Sequence, residues 1–161
     1  MIDIQLTGQL PQLNVNLESA MEQIADIMFR SVQQNFIAGG RPDQWAPLMP
    51  LMAQASHLYQ TGNLFESIQI AWGDKSATVF IDTVRVPYAA INNFGGVIKH
   101  PGSSKFQVFD YGGGTIFTHG TKPHDIPIPA RTFMMFQEED KTQILQTLSN
   151  AIFLTNGEQI Q

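Results

Sequence analysis

The sequence contains no cysteine. This absence excludes disulfide bonds, thiolate nucleophiles and thiolate metal ligands, and it is typical of a protein made in a reducing cytoplasm. Charged residues are also scarce: they make up 14% of the chain, against about a quarter of an average soluble domain. We expect part of so weakly charged a surface to be covered by partner proteins.

Long apolar runs and concentrations of basic residues are missing as well. No apolar run approaches the roughly 20 residues that span a bilayer, and the first ten residues lack the basic and apolar regions of a signal peptide. We therefore expect neither membrane insertion nor secretion. The formal charge is −5 and the nine Lys and Arg are dispersed. This pattern argues against sequence-specific nucleic-acid binding.

What is present indicates a single α+β domain over residues 1–161, a length that can bury one core without a staple. Apolar residues recur at helical spacing over residues 17–36 and again over 144–152, which predicts two long amphipathic helices. At the start of the first helix, Asn16 or Ser19 is a candidate cap, and Ser19 with Glu22 has the spacing of a capping box. The pair Gly39-Gly40 predicts the end of that helix.

Between the helices the pattern changes to short strands. Residues 67–72 and 77–82 are rich in strand formers on either side of a turn, so they predict a β-hairpin. A helical turn is predicted over 87–91, with Pro87 as its first residue, and extended structure over 125–129. Together these elements predict a small, mostly antiparallel sheet covered by the N-terminal and C-terminal amphipathic helices.

Residues 97–124 differ from the rest in being rich in glycine and carrying three lysines against one acid. They predict a projecting flexible arm or hairpin, with short strands around 106–109 and 115–118. We expect this arm to be mobile, or ordered by a partner, because it has little apolar surface to bury. Its lysines, from Lys99 to Lys122, also leave open a module that contacts nucleic acid.

Catalytic motifs are weak throughout. His100, His119, His124 and Asp125 could ligate a metal in a small metal-dependent enzyme, yet no H-E-x-x-H pattern fixes them on a rigid element. The glycines at 112–114 are not followed by the G-K-[ST] of a phosphate-binding loop, and no G-x-S-x-G elbow occurs. We therefore predict no catalytic residue, no cofactor and no metal.

Four unusual blocks occur in a fixed order along the chain: WAPL at 45–48, TGNLFESI at 61–68, YAAINNFGG at 88–96 and IPIPARTF at 126–133. In this order they resemble the virion morphogenesis, or tail-completion, family of tailed bacteriophages and prophages. The chain departs from the family pattern at Asn92 and Asn93, where histidine and glutamine are frequent, and at Thr132, where proline is usual. Loss of that proline relaxes the backbone restriction on Arg131.

The resemblance implies a non-enzymatic assembly protein that completes the head-proximal end of the tail and takes part in head-tail joining. It implies a homo-oligomeric ring, other tail or neck proteins as partners, and a location in the virion after assembly in the host cytoplasm. A tail terminator or a neck adaptor of a related class is the alternative among phage assembly proteins.

Five residues of the blocks are candidates for packing or for an interface: Trp45, Tyr88, Phe94, Arg131 and Phe133. The aromatic residues are of the type that fills cores and interfaces. For Arg131 two partners remain open, a carboxylate of the same chain or one of a neighbouring subunit.

Overall fold

The structure is a computed structural model, and it describes residues 1–5, 17–46, 58, 62–111 and 114–157. Along these residues run seven strands and four helices. In chain order they are β1 (Ile2–Gln5), α1 (Glu18–Ala38), α2 (Asn63–Glu66), β2 (Ile68–Gly73), β3 (Ser76–Ile81), α3 (Ala89–Phe94), β4 (Gly96–His100), β5 (Ser103–Tyr111), β6 (Gly114–Thr121), β7 (His124–Ile128) and α4 (Glu138–Gly157). The α+β class and both long helices are confirmed.

A three-stranded antiparallel sheet with the order β1-β3-β2 forms the body. The hairpin of β2 and β3 lies where the sequence predicts it, with Ile70 opposite Val79. On the other side of β3 lies β1, with Ile2 opposite Val79. No local sequence pattern predicts this pairing. Helix α1 covers this sheet, because Ala77 and Val79 belong to the same buried core as the apolar stripe of the helix.

The first turn of α1 differs from the prediction. The helix begins at Glu18, and its N-cap, Leu17, makes no side-chain cap bond. Ser19 is therefore already inside the helix, so the capping box of Ser19 with Glu22 is wrong. The other candidate, Asn16, lies outside the described residues.

The end of α1 is the one predicted. Gly39 has the left-handed φ of 69°, which glycine adopts without steric cost. Its N–H donates to the carbonyl of Phe36, and the N–H of Gly40 donates to the carbonyl of Asn35 over 2.9 Å. This pair of bonds is a Schellman motif, which satisfies the last carbonyls of the helix.

Helix α4 packs along α1. Ile144 is buried in the common core, and Leu148 and Ile152 lie half-buried beside it. None of the helices in the described ranges is both long and apolar enough to cross a membrane.

The segment that the sequence marks as an arm consists of two nested ladders. β4 pairs with β7 from Gly96 opposite Ile128 to His100 opposite His124. Beyond them β5 pairs with β6 as far as Tyr111 opposite Gly114. The strands are longer than the short ones expected around 106–109 and 115–118. If straight, the path from 96 to 111 measures about 50 Å at roughly 3.3 Å per residue. Whether the arm is mobile stays a prediction.

Candidate interaction surface at the root of the arm

Phe36 of α1 contacts aromatic residues from three of the four unusual blocks. The centroid of its ring lies 6.0 Å from that of Trp45 and 5.8 Å from that of Phe65, both in edge-to-face geometry. The ring of Phe133 lies 4.9 Å away in a tilted arrangement. Edge-to-face packing is a favourable arrangement for aromatic pairs. Trp45 and Phe133 are therefore packing residues within this chain.

The third block joins the fourth through its two asparagines. The N–H of Arg131 donates to the carbonyl of Asn92 over 2.8 Å. The N–H of Met134 donates to Oδ1 of Asn93 over 2.9 Å, and Asn93 is buried. Asn92 and Asn93 of the third block thus connect α3 to the segment that follows β7.

The close approach of α3 to the segment after β7 requires a glycine at position 95. Its φ is +72°, and an added Cβ would lie 2.8 Å from the nitrogen of Ala130 and 3.0 Å from the carbonyl oxygen of Ile128. No larger residue fits there without moving backbone. Because Gly96 opens the ladder of β4 with β7, the junction holds the root of the arm against the body.

Asn35 of α1 holds the same segment from the other side. Its Nδ2 donates to the carbonyls of Phe133 and Met135, each over 2.8 Å. Its Oδ1 accepts a bond of 2.9 Å from Nε of Arg41. The amide of Asn35 is therefore bonded through both its nitrogen and its oxygen in a buried position, as a buried polar group requires.

The same network fixes the start of α4. Oδ2 of Asp140 accepts a 2.8 Å bond from the N–H of Gln137, and it also accepts the hydroxyl of Ser31. The guanidinium of Arg41 forms ion pairs with both acids: its Nη2 lies 3.7 Å from Oδ2 of Asp140, and its Nη1 lies 3.5 Å from Oε1 of Glu139. The acids at the start of α4 therefore do more than complement the helix dipole, since Asp140 caps the helix and ties it to α1.

Sequence reasoning missed this network, although one signal was present. Ser31 and Asn35 are polar residues four positions apart, and they lie within the buried stripe of α1. Polar residues inside such a stripe need buried partners. The pattern could have identified both as members of a network, but it could not have identified Arg41 and Asp140 as their partners.

Arg131 is only 4% exposed. Within the described ranges its Nε has no hydrogen-bond partner, and no carboxylate forms an ion pair with it. Burial lowers the pKa of the guanidinium from its usual value. An intrachain carboxylate is thus not observed in this part of the chain, and pairing with a neighbouring subunit stays a prediction.

The four candidate metal ligands lie on three strands of the two ladders. His100 and His124 face each other across the ladder with stacked rings 4.9 Å apart, and Nδ1 of each is bonded to nearby backbone. Asp125 lies opposite Lys99, and His119 lies in β6 opposite Phe106. Among the residues that the structure describes, no group of three potential ligands forms a metal site.

An apolar groove of about 400 Å³ opens beside this junction. Ile2 and Ile81 line it from the sheet, Ala90 and Phe94 from α3, and Met134 from the segment after β7. Phe94 is 77% exposed at its rim, and Tyr88, at the start of α3, is also exposed. These two aromatic residues are therefore surface residues of the single chain, unlike Trp45.

Together, the four sequence blocks form one junction. A β-arm projects from this junction, and the apolar groove opens beside it. Over residues 5–152 the chain matches the phage virion morphogenesis family, and it belongs to that family. It is 29% identical over 142 residues to the Mu-like prophage FluMu G protein 2 of Haemophilus influenzae, and the alignment covers 88% of this chain and 83% of that protein. No solved structure matches the chain. The resemblance seen in the sequence is confirmed, and the family gives the chain a role in phage virion assembly.

Proposed function

We propose that this chain is a tail-completion protein. It binds the head-proximal end of a phage tail and is required for joining the tail to a DNA-filled head, and it performs no chemistry of its own. The family membership and the similarity to a Mu-like prophage protein support this proposal.

One structural observation carries the proposal furthest: the four family-like blocks are used to position a projecting arm. Trp45, Phe65 and Phe133 pack on Phe36, and Asn93 and the other joint residues bind backbone. Side chains that pack on one another or bind backbone hold the segments around them in place. An arm with a fixed root beside an apolar groove suits a protein that acts by surface complementarity in a ring. Its partners are other tail or neck proteins, and its final location is the virion.

Deletion of the gene in an inducible prophage tests this function. We expect DNA-filled heads and tails to accumulate separately, as seen by electron microscopy. Purified protein added to the mixed extract restores joined particles. A deletion strain that still gives normal infectious particles would contradict the proposal. Tails of uncontrolled length would instead indicate a tail terminator.

The restoration assay also separates assembly from metal-dependent chemistry. We expect full restoration in the presence of a chelator, from protein without stoichiometric transition metal by elemental analysis. The same result is expected from a His119→Ala variant. Restoration that needs both His119 and a chelatable metal would favour the enzyme.

A further inference from the structure

Arg131 is an exception among the buried polar side chains. In the ranges that the structure describes, seven polar residues are buried, and the guanidinium of Arg131 has no hydrogen-bond or ion-pair partner there. A buried guanidinium of this kind lowers the stability of the chain, because it has lost bonds to water and gained none. The other six are hydrogen-bonded through their side chains: Ser31, Asn35, Ser67, Asn93, Gln137 and Asp140.

The backbone around Arg131 is held in place. Its N–H donates to the carbonyl of Asn92 over 2.8 Å. The preceding residue, Ala130, lies so close to Gly95 that an added Cβ there would be 2.8 Å from its nitrogen. The chain therefore keeps a cation in a fixed position, and none of its described carboxylates pairs with that cation. Such a site is organised before a ligand arrives.

The end of the guanidinium is open to a ligand from outside. Nε is shielded from solvent and has no partner. Nη1 and Nη2 also form no hydrogen bond with a described residue, and they keep contact with solvent, to which the 4% exposure of the residue corresponds. A molecule that approaches the surface there meets these two nitrogens first. They are the pair of donors that binds an anion with two oxygens in one plane.

A carboxylate is the ligand that fits a single guanidinium in charge and in planar geometry. Nucleic-acid phosphate fits less well, because its binders cluster lysines and arginines and this chain has a formal charge of −5. We propose that Arg131 binds a carboxylate group of a neighbouring protein in the virion. The carboxylate belongs to a second copy of the chain or to another tail protein. This inference rests on the proposed function, since it requires neighbours in the particle.

The stability of the isolated chain gives the first test. Arg131→Met replaces the unpaired cation with an unbranched apolar side chain. It should raise the melting temperature by at least about 2 °C, at a concentration where light scattering shows monomers. Arg85→Met is the control, because Arg85 is exposed and paired with Glu66, and its melting temperature should be nearly unchanged. A lower melting temperature for Arg131→Met would mean that the guanidinium is satisfied within the chain, which overturns the proposal.

The restoration assay gives the second test, and it should change in the opposite direction. Arg131→Met should restore head-tail joining at least about tenfold less well than wild type, although the chain itself is more stable. A residue needed only for folding would change both measurements in the same direction. If Arg131→Met restores joining like wild type where the deletion strain fails, this inference is overturned and the tail-completion function stands. Loss of binding to DNA in place of binding to protein also overturns it.

Cross-linking identifies the carboxylate and its source. Arg131→Lys places an amine near the same position, and a carbodiimide joins an amine to a carboxylate in contact with it. Mass spectrometry of a mixture of labelled and unlabelled chains should show position 131 joined to a second copy, or in assembled particles to another tail protein. Arg85→Lys is the positive control and should join Glu66 of its own chain. Joining of position 131 only to an acid of its own chain, or to none in either preparation, overturns the proposal.

Discussion

At the scale of single residues, Phe36 connects segments that are distant along the chain. Its ring contacts the rings of Trp45, Phe65 and Phe133, so removal of any one of them leaves a cavity beside the others. A cavity in a core costs both the lost burial and the lost contacts around it.

Trp45→Ala should therefore lower the free energy of unfolding by about 3–5 kcal/mol, the usual cost for a large buried aromatic residue. Trp45 is 9% exposed, whereas Trp72 is 44% exposed on β2. Trp72→Ala is the matched control and should cost less than half as much. Urea denaturation followed by circular dichroism measures both. Equal losses would show that Trp45 is not a core residue.

Gly95→Ala should destabilise the protein by roughly 1–3 kcal/mol, since the new Cβ meets backbone at a left-handed φ. At Gly73 a Cβ would meet only Oγ of Ser76, 3.7 Å away, which is ordinary contact. Gly73→Ala should leave the melting temperature nearly unchanged. If both variants melt alike, the close approach of α3 to the segment after β7 is wrong.

At the scale of elements, α1 and α4 are held together by polar contacts as well as by apolar packing. The interaction of Arg41 with Asp140 lies in the interior of this contact, while that of Arg85 with Glu66 lies at the surface. Water screens the exposed pair more strongly.

A double-mutant cycle of Arg41→Met and Asp140→Asn should give a coupling free energy of about 1–2 kcal/mol. Asparagine keeps an oxygen that can accept the Gln137 N–H, so the cap is retained. The control cycle, Arg85→Met with Glu66→Gln, should give less than about 0.5 kcal/mol. This order is expected although the exposed pair is shorter, 3.1 Å against 3.7 Å. A larger coupling for the exposed pair would contradict it.

The arm is the element expected to open most easily, because a two-stranded ribbon has few apolar contacts to hold it. Trypsin should cut the monomer first within 97–124, at Lys99 or Lys105, and leave both long helices intact. Mass spectrometry of early fragments measures this. First cuts within 17–36 would show that the division into body and arm is wrong.

At the scale of the whole molecule, body and arm have separate tasks. The buried core lies in α1, in the three-stranded sheet and around Phe133, and the ladder of β4 with β7 ends at His100 opposite His124. The part beyond this pair can be removed without cutting through the core.

Replacing residues 101–123 by Asn-Gly, a pair suited to a two-residue hairpin turn, should leave the melting temperature of the body almost unchanged. Head-tail joining should be lost in the same variant. The restoration assay measures this loss. A shortened chain that still restores joined particles would show that the arm is dispensable for the proposed function.

The sequence by itself determined the features that arise from neighbours along the chain. The 3.6-residue periodicity of α1, its glycine C-cap and the hairpin of β2 with β3 depend on local patterns. The order of the four blocks identified the family before any geometry was known. In the arm, the same local signals predicted only short strands around 106–109 and 115–118, and the strands in the structure are longer.

Only the tertiary structure decided the contacts between distant parts. The pairing of Ile2 with Val79, the bonds of Asn35 to the segment after Phe133 and the burial of Arg131 all join positions far apart in sequence. Residue type says that an asparagine or an arginine can bond, but the partner depends on which surfaces the folded core brings together. For the same reason, the groove beside α3 has no counterpart in any sequence motif.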